Sequence, residues 1–213
     1  MDPLSIIAST IAIVGVVASS SKAIQSIKGL PSEFKEVNQN LPLVQDTLVL
    51  ARDRLKDGDG VALDESSKNA IEPVLSGCET KARMLQEIFD KIEKGAKDSG
   101  GSGLDLYRTA LLRLGKAHRV ETLLRDIIKS LDLLATNQFF RASIKRGKLV
   151  DAEDELSGLQ SSVPDSEFES AGNVQNIAEG ATGQQTNIYG QGHNISSGSG
   201  KQFNAHIMNF SAE

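Results

Sequence analysis

The stretch FKEVNQNLPLVQDTLVLARDRL, residues 34–55, sets the fold class. Its apolar residues Phe34, Val37, Leu41, Val44, Leu48, Ala51 and Leu55 are separated alternately by three and four, which places all of them on one face of a helix. Pro42 falls inside this pattern and is expected to bend the helix without ending it. KDGDG at 56–60 then closes the element. A face of this length needs partners of the same kind.

Those partners are legible on both sides. From about Leu63 to Lys94 a second periodic face carries Ile71, Val74, Cys78, Ala82, Leu85, Ile88 and Ile92, and GAKDSGGSG at 95–103 predicts a loop. A further helical region starts at Leu104, loosens near Gly115 and continues toward Leu149. No strand is expected before residue 170. Long helices joined by short loops predict an all-α fold, an up-and-down bundle of about four to five long helices.

Toward the N-terminus, PLSIIASTIAIVGVVASSS runs 19 residues, Pro3 to Ser21, without a charge. Asp2 precedes it where a secretory signal would carry Lys or Arg, so the pair Asp2-Pro3 is expected to be an N-cap followed by proline at the first helical position. The helix should reach about Lys28. Leu4, Ile7, Ile11, Val14 and Ala18 cover one face, while Ile6, Ile13, Val17 and Ile24 cover much of the other. Such a helix is expected to be surrounded, by other helices or by a bilayer, and the natural place for it is the centre of the bundle. Six of the 19 residues are Ser or Thr, which makes constitutive insertion marginal and favours the core helix.

Charge divides the chain. Residues 1–150 hold 22 Lys and Arg against 19 Asp and Glu, whereas residues 151–213 hold one Lys against nine acidic groups. DAEDELSGLQSSVPDSEFESAG, from residue 151, is acidic and poor in bulky apolar groups, so a linker is expected over 151–171. The single Cys78 forms no internal disulfide and fits a reducing cytosol. No metal-ligand spacing, phosphate loop, HExxH or GxSxG is present, so neither a metal, a cofactor nor an enzymatic activity is expected. His118 has no evident partner for base catalysis. The basic run RASIKRGK, residues 141–148, could meet phosphates of nucleic acid or of anionic lipid, but no aromatic residue is interleaved for base stacking and nucleic acid is not an expected partner.

The C-terminal segment 172–213 has a different logic. It places Gln185, Asn187, Ile188 and Tyr189 before Gly190 and Gly192, and Gln202, Phe203, Asn204 and Ile207 after Gly198 and Gly200. Asn194 lies near the centre of this approximate mirror. Asn and Gln amides at one position in stacked identical chains form hydrogen-bonded ladders, Ile, Tyr and Phe fill dry contacts between sheets, and Gly permits the turns. One copy leaves the strand edges unpaired; many copies pair them. A polar disordered tail is the competing expectation, since Gly and Asn are individually poor strand formers.

This arrangement resembles the pseudo-palindromic amyloid motif of fungal cell-death signalling, with GSGKQFNAHIMNF its most telling part. MDPLSIIASTIAIVGVVASSSKAI, followed by LPSEF and a helical region, resembles the HeLo-like (SesA type) death domain of fungi. The resemblance implies a helical death-execution domain at 1–150, the linker, and a disordered, amyloid-forming C-terminal tail at 172–213. It implies a cytoplasmic resting protein whose tail is templated into fibrils by a NACHT-type receptor carrying a matching motif, and whose helical domain then disrupts plasma-membrane lipids. Leu4, Ile6, Ile7, Ile11, Ile13, Val14, Gly15, Val16 and Val17 become the candidate membrane-inserting residues. A soluble helical adaptor clustered by its tail, without membrane activity, is the alternative.

Overall fold

The computed structural model describes residues 2–57 and 64–171, which form seven α-helices and, among the described residues, no strand. The helices are α1 (Pro3–Ile24), α2 (Glu33–Asp57), α3 (Glu65–Ser99), α4 (Gly103–Leu114), α5 (Val120–Thr136), α6 (Arg146–Ser157) and α7 (Asp165–Ala171). Residues through Pro164 make one compact unit; α7 belongs to a second unit. The expected tail and its candidate residues, from residue 172 onward, lie outside the described residues.

Local chemistry explains most boundaries. Asp2 caps α1 by accepting the Ser5 N–H at 3.1 Å, with Pro3 in the first turn where its missing donor is not needed. Asp64 caps α3 in the same way, accepting the Ser67 N–H at 2.6 Å. α2 runs through Pro42 without a break, and its inner face buries Phe34, Val37, Leu41, Val44, Leu48 and Ala51.

Several boundaries differ from expectation. α1 stops at Ile24 rather than near Lys28, and the chain turns through Gly29 at φ 81°, a conformation glycine adopts without steric cost. α3 continues through Gly95 to Ser99, where a loop was expected. Gly95 is a packing residue: a Cβ there would come within 2.6 Å of Leu106 Cδ2 of α4. The helix ends instead at Gly100, whose left-handed φ of 62° lets its N–H reach the Ala96 carbonyl. The region from Leu104 to Leu149 is divided into α4, a 3₁₀ turn at Lys116–His118, α5 and the start of α6.

The 151–171 stretch is also more structured than expected. α6 crosses residue 150, and Leu149, Ala152, Leu156 and, beyond the helix, Val163 are buried. Low average hydrophobicity concealed a few well-placed anchors.

α3 packs against α1, α4 and α5, while α5 packs against α2, α3 and α6. The expected centre piece, α1, instead lies against α2 and α3. Phe34 joins Phe89 at 5.3 Å and Tyr107 at 4.9 Å between ring centroids, tying α2, α3 and α4 into one aromatic cluster. Cys78 is part of the core, and burial pushes its thiol up to about 12, so it packs as a small apolar group.

Candidate functional site

α1 is the one element that by length and composition is able to cross a membrane among the described residues. Its 22 residues span about 33 Å at about 1.5 Å per residue, which matches a bilayer's hydrocarbon layer. What distinguishes it is how its two faces are used.

Of the nine candidate membrane-inserting residues, Ile6, Ile7, Ile13, Val14 and Val17 are buried against α2 and α3. Leu4, Ile11 and Gly15 are half-buried, and Val16 is 44% exposed. The outward stripe is otherwise made of small residues, Ser5, Ala8, Ala12 and Ser19, and a Cβ at Gly15 would meet nothing within 4 Å. A helix apolar all round was expected to be enclosed. Small side chains on the open face explain why it need not be: they expose little apolar area per residue.

Six hydroxyls lie along this apolar run, and each has a partner. Ser5 bonds Asp2, Thr10 bonds the Ile6 carbonyl at 2.8 Å, and Ser19 bonds the Gly15 carbonyl at 3.0 Å, so these three are satisfied within the helix and its cap. Ser9, Ser20 and Ser21 reach across to other helices. Ser9 donates to Glu79 Oε1 of α3 at 2.6 Å, and Arg83 Nη2 donates to the same carboxylate oxygen at 2.7 Å and to Ser9 Oγ at 3.3 Å. Near the other end, Ser20 Oγ lies 3.5 Å from Asp90 Oδ1 of α3, and Ser21 donates to Asn38 Oδ1 of α2 at 3.0 Å.

The hydrogen bond from Ser9, then that from Arg83, holds the Glu79 carboxyl below its usual range. Glu79 is therefore charged at neutral pH and accepts from both. Apolar packing supplies most of the attachment of α1, and these polar contacts fix its position along α3. Glu79, Arg83, Asp90 and Asn38 were not singled out from sequence. The signal was present in the Ser residues interrupting the apolar run, but their partners lie 70 residues away in the two α3 contacts and only the fold brings them together.

Elsewhere the bundle offers little for chemistry. Among the described residues no group of His, Cys, Asp and Glu is arranged to hold a metal. A cleft lined by Ile27, Lys28, Gly29, Ala96, Gly100, Gly101 and Ser102 brings one amine and one hydroxyl to its wall and no carboxylate, imidazole or thiol.

The family model described as SesA, an N-terminal domain on NACHT NTPases and P-loop NTPases, matches residues 7–134, from the first turns of α1 almost to the end of α5. Neither a curated protein nor a solved structure matches the chain.

Proposed function

Because the chain belongs to the SesA family of domains found on NACHT and other P-loop NTPases, we propose that it acts in regulated cell death as the membrane-disrupting partner of a NACHT-type receptor. In this proposal the protein resembles the fungal execution proteins of the HELLP type. It rests in the cytoplasm, its C-terminal motif is templated into amyloid by the matching motif of the receptor, and α1 then leaves α2 and α3 for the plasma membrane. No catalysis and no cofactor are involved.

The observation that carries the proposal is the construction of α1. Its length suits a bilayer, and three of its six hydroxyls bond inside the helix or its cap, so that half of the polar cost of leaving water is already met before release. The attachments to be broken are the flanking contacts of Ser9, Ser20 and Ser21 and the apolar inner face. Lipid accepts that apolar face as readily as a protein core does.

Fibril assembly provides the trigger by concentrating many helical domains, which converts weak membrane contacts into multivalent ones. The test is dye release from vesicles by the full chain, alone and after seeding with preformed fibrils of residues 172–213. Release that appears on seeding supports the proposal. Assembly without release would make the protein an adaptor clustered by its tail.

A further inference from the structure

The corner between α5 and α6 carries a basic patch that the bundle does not use. Hydrogen bonds from the Arg141 N–H to the Asn137 carbonyl at 3.0 Å and from the Ile144 N–H to the Phe140 carbonyl at 3.1 Å fix its backbone, while Phe140, Ile144 and Leu149 are buried beneath it. Arg146 is bound to Asp132 of α5 by two hydrogen bonds, at 2.6 and 2.9 Å. That leaves Arg141, Lys145 and Lys148 exposed, with no ion-pair partner among the described residues. On α3, by contrast, Arg83, Lys91 and Lys97 each meet a Glu one turn earlier.

Helix stability does not account for these cations. Lys145, Arg146 and Lys148 occupy the cap and first turn of α6, where the helix dipole favours acidic groups, and no acidic residue is present in that turn. Two aliphatic side chains are exposed nearby in the chain: Val150, two residues beyond Lys148, and Leu133, next to Asp132, at 37% and 58%.

We propose that Arg141, Lys145 and Lys148 form a docking surface for anionic lipid headgroups, separate from α1. The inference rests on the membrane reading above and adds to it the lipid class and the first contact. Exposed cations that meet no carboxylate of the bundle suit the phosphates and carboxylates of anionic headgroups. Nucleic acid is the less favoured partner: Phe139 at this corner packs against Phe140 and under Arg54, leaving no open ring for base stacking.

The magnitude suggests when the surface acts. Each Lys or Arg near an anionic membrane is worth about fivefold in binding, so three give roughly 100-fold. That is weak for one copy and strong for many copies held together. The patch thus holds single chains only weakly and retains assembled chains at the membrane.

The experiment is partition of the full chain, soluble and assembled, onto phosphatidylcholine vesicles with and without phosphatidylserine. Expected are binding only with phosphatidylserine, a steep fall with salt, a loss of roughly 100-fold on substitution of Arg141, Lys145 and Lys148 by Gln, and retention when Lys145 and Lys148 become Arg. Circular dichroism checks that the Gln variant is folded. Inorganic phosphate at matched ionic strength should not displace the protein; displacement would mean a free-phosphate site and overturn the proposal. Equal binding to both vesicle types, unchanged binding by the Gln variant, or a preference for a single-stranded oligonucleotide over phosphatidylserine would also overturn it. If wild type binds through the corner and no vesicle leaks, the docking surface stands and membrane disruption by α1 fails.

Discussion

Ser162 holds Glu121 with both of its donors: the backbone N–H reaches Oε1 at 3.0 Å and the hydroxyl reaches Oε2 at 2.8 Å. Glu121 belongs to α5 and is buried, so these bonds replace water that the carboxylate has lost. Tyr107 of α4 completes the group, its hydroxyl 2.8 Å from Ser162 Oγ and accepting the Val120 N–H at 3.1 Å. Burial, reinforced by Glu121, raises the Tyr107 pKa, so the phenol stays protonated. Since the Tyr107 ring lies edge-on to Phe34, the segment after α6 is fastened to the centre of the bundle.

The folded domain therefore extends to Pro164, and truncation should reveal it. A chain of residues 1–164 is expected to unfold cooperatively with the denaturation midpoint of the full protein. Ending the chain at residue 150 removes the buried Leu156 and Val163, about 1.5–3 kcal/mol each, and strands Glu121 for about 1–3 kcal/mol more. That total is comparable with the whole stability of many domains. Urea titrations of the two truncations decide the matter: equal midpoints would show that the strap is ornamental.

The contact of Ser9 with Glu79 gives α1 a pH dependence with a definite sign. Because the folded-state pKa of Glu79 is depressed, its contribution is fully present above the unfolded value near 4.3 and is lost as pH falls through the folded value. Substituting Ser9 by Ala or Glu79 by Gln should cost about 1 kcal/mol at pH 7 and almost nothing once both carboxyl forms are protonated. The observable is hydrogen exchange of the α1 amides, compared between wild type and each variant from pH 7 to pH 3. A constant difference across that range would assign the effect to packing.

The helical class, the inner face of α2 and the cap at Asp2 were legible in the sequence because each depends on neighbours within a few residues. Gly95 was misread because glycine marks loops on average, whereas here it admits Leu106. The strap was missed for a similar reason: Leu156, Ser162 and Val163 are too few to raise the hydrophobicity of an acidic stretch, yet each finds a buried partner site. Periodicity also placed α1 at the centre, since it records how apolar a face is and not how small its side chains are.

That small-residue face supplies a cleaner test of membrane insertion than the buried positions do. Val14 is 1% exposed, so Val14→Asp places a charge in the core and confuses unfolding with loss of function. Val16 lies on the open face. Val16→Asp should change bundle stability by about 0.5 kcal/mol yet cost about 3 kcal/mol in lipid, reducing vesicle leakage by roughly 150-fold. Gly15→Ala, which adds a methyl into open space, should leave leakage near wild type. Full leakage by a folded Val16→Asp protein would exclude insertion of α1.

The C-terminal motif has a prediction independent of the bundle. A peptide of residues 172–213 should form cross-β fibrils with seeded kinetics, and those fibrils should convert the full chain. Gln185, Asn187, Gln202 and Asn204 gain ladder partners when identical chains stack in register, and Ile188, Tyr189, Phe203 and Ile207 gain burial when the sheets then face one another. Phe203→Pro removes a strand donor and an aromatic contact together, so it should abolish seeding. Lys201→Arg keeps the charge outside the amide positions and should seed like wild type. The measurement is seeded thioflavin fluorescence with fibre diffraction. Wild-type aggregates lacking the interstrand spacing near about 4.7 Å, or undiminished seeding by the proline variant, would exclude templating through this motif, because both the ladder and the packed face would have been shown dispensable.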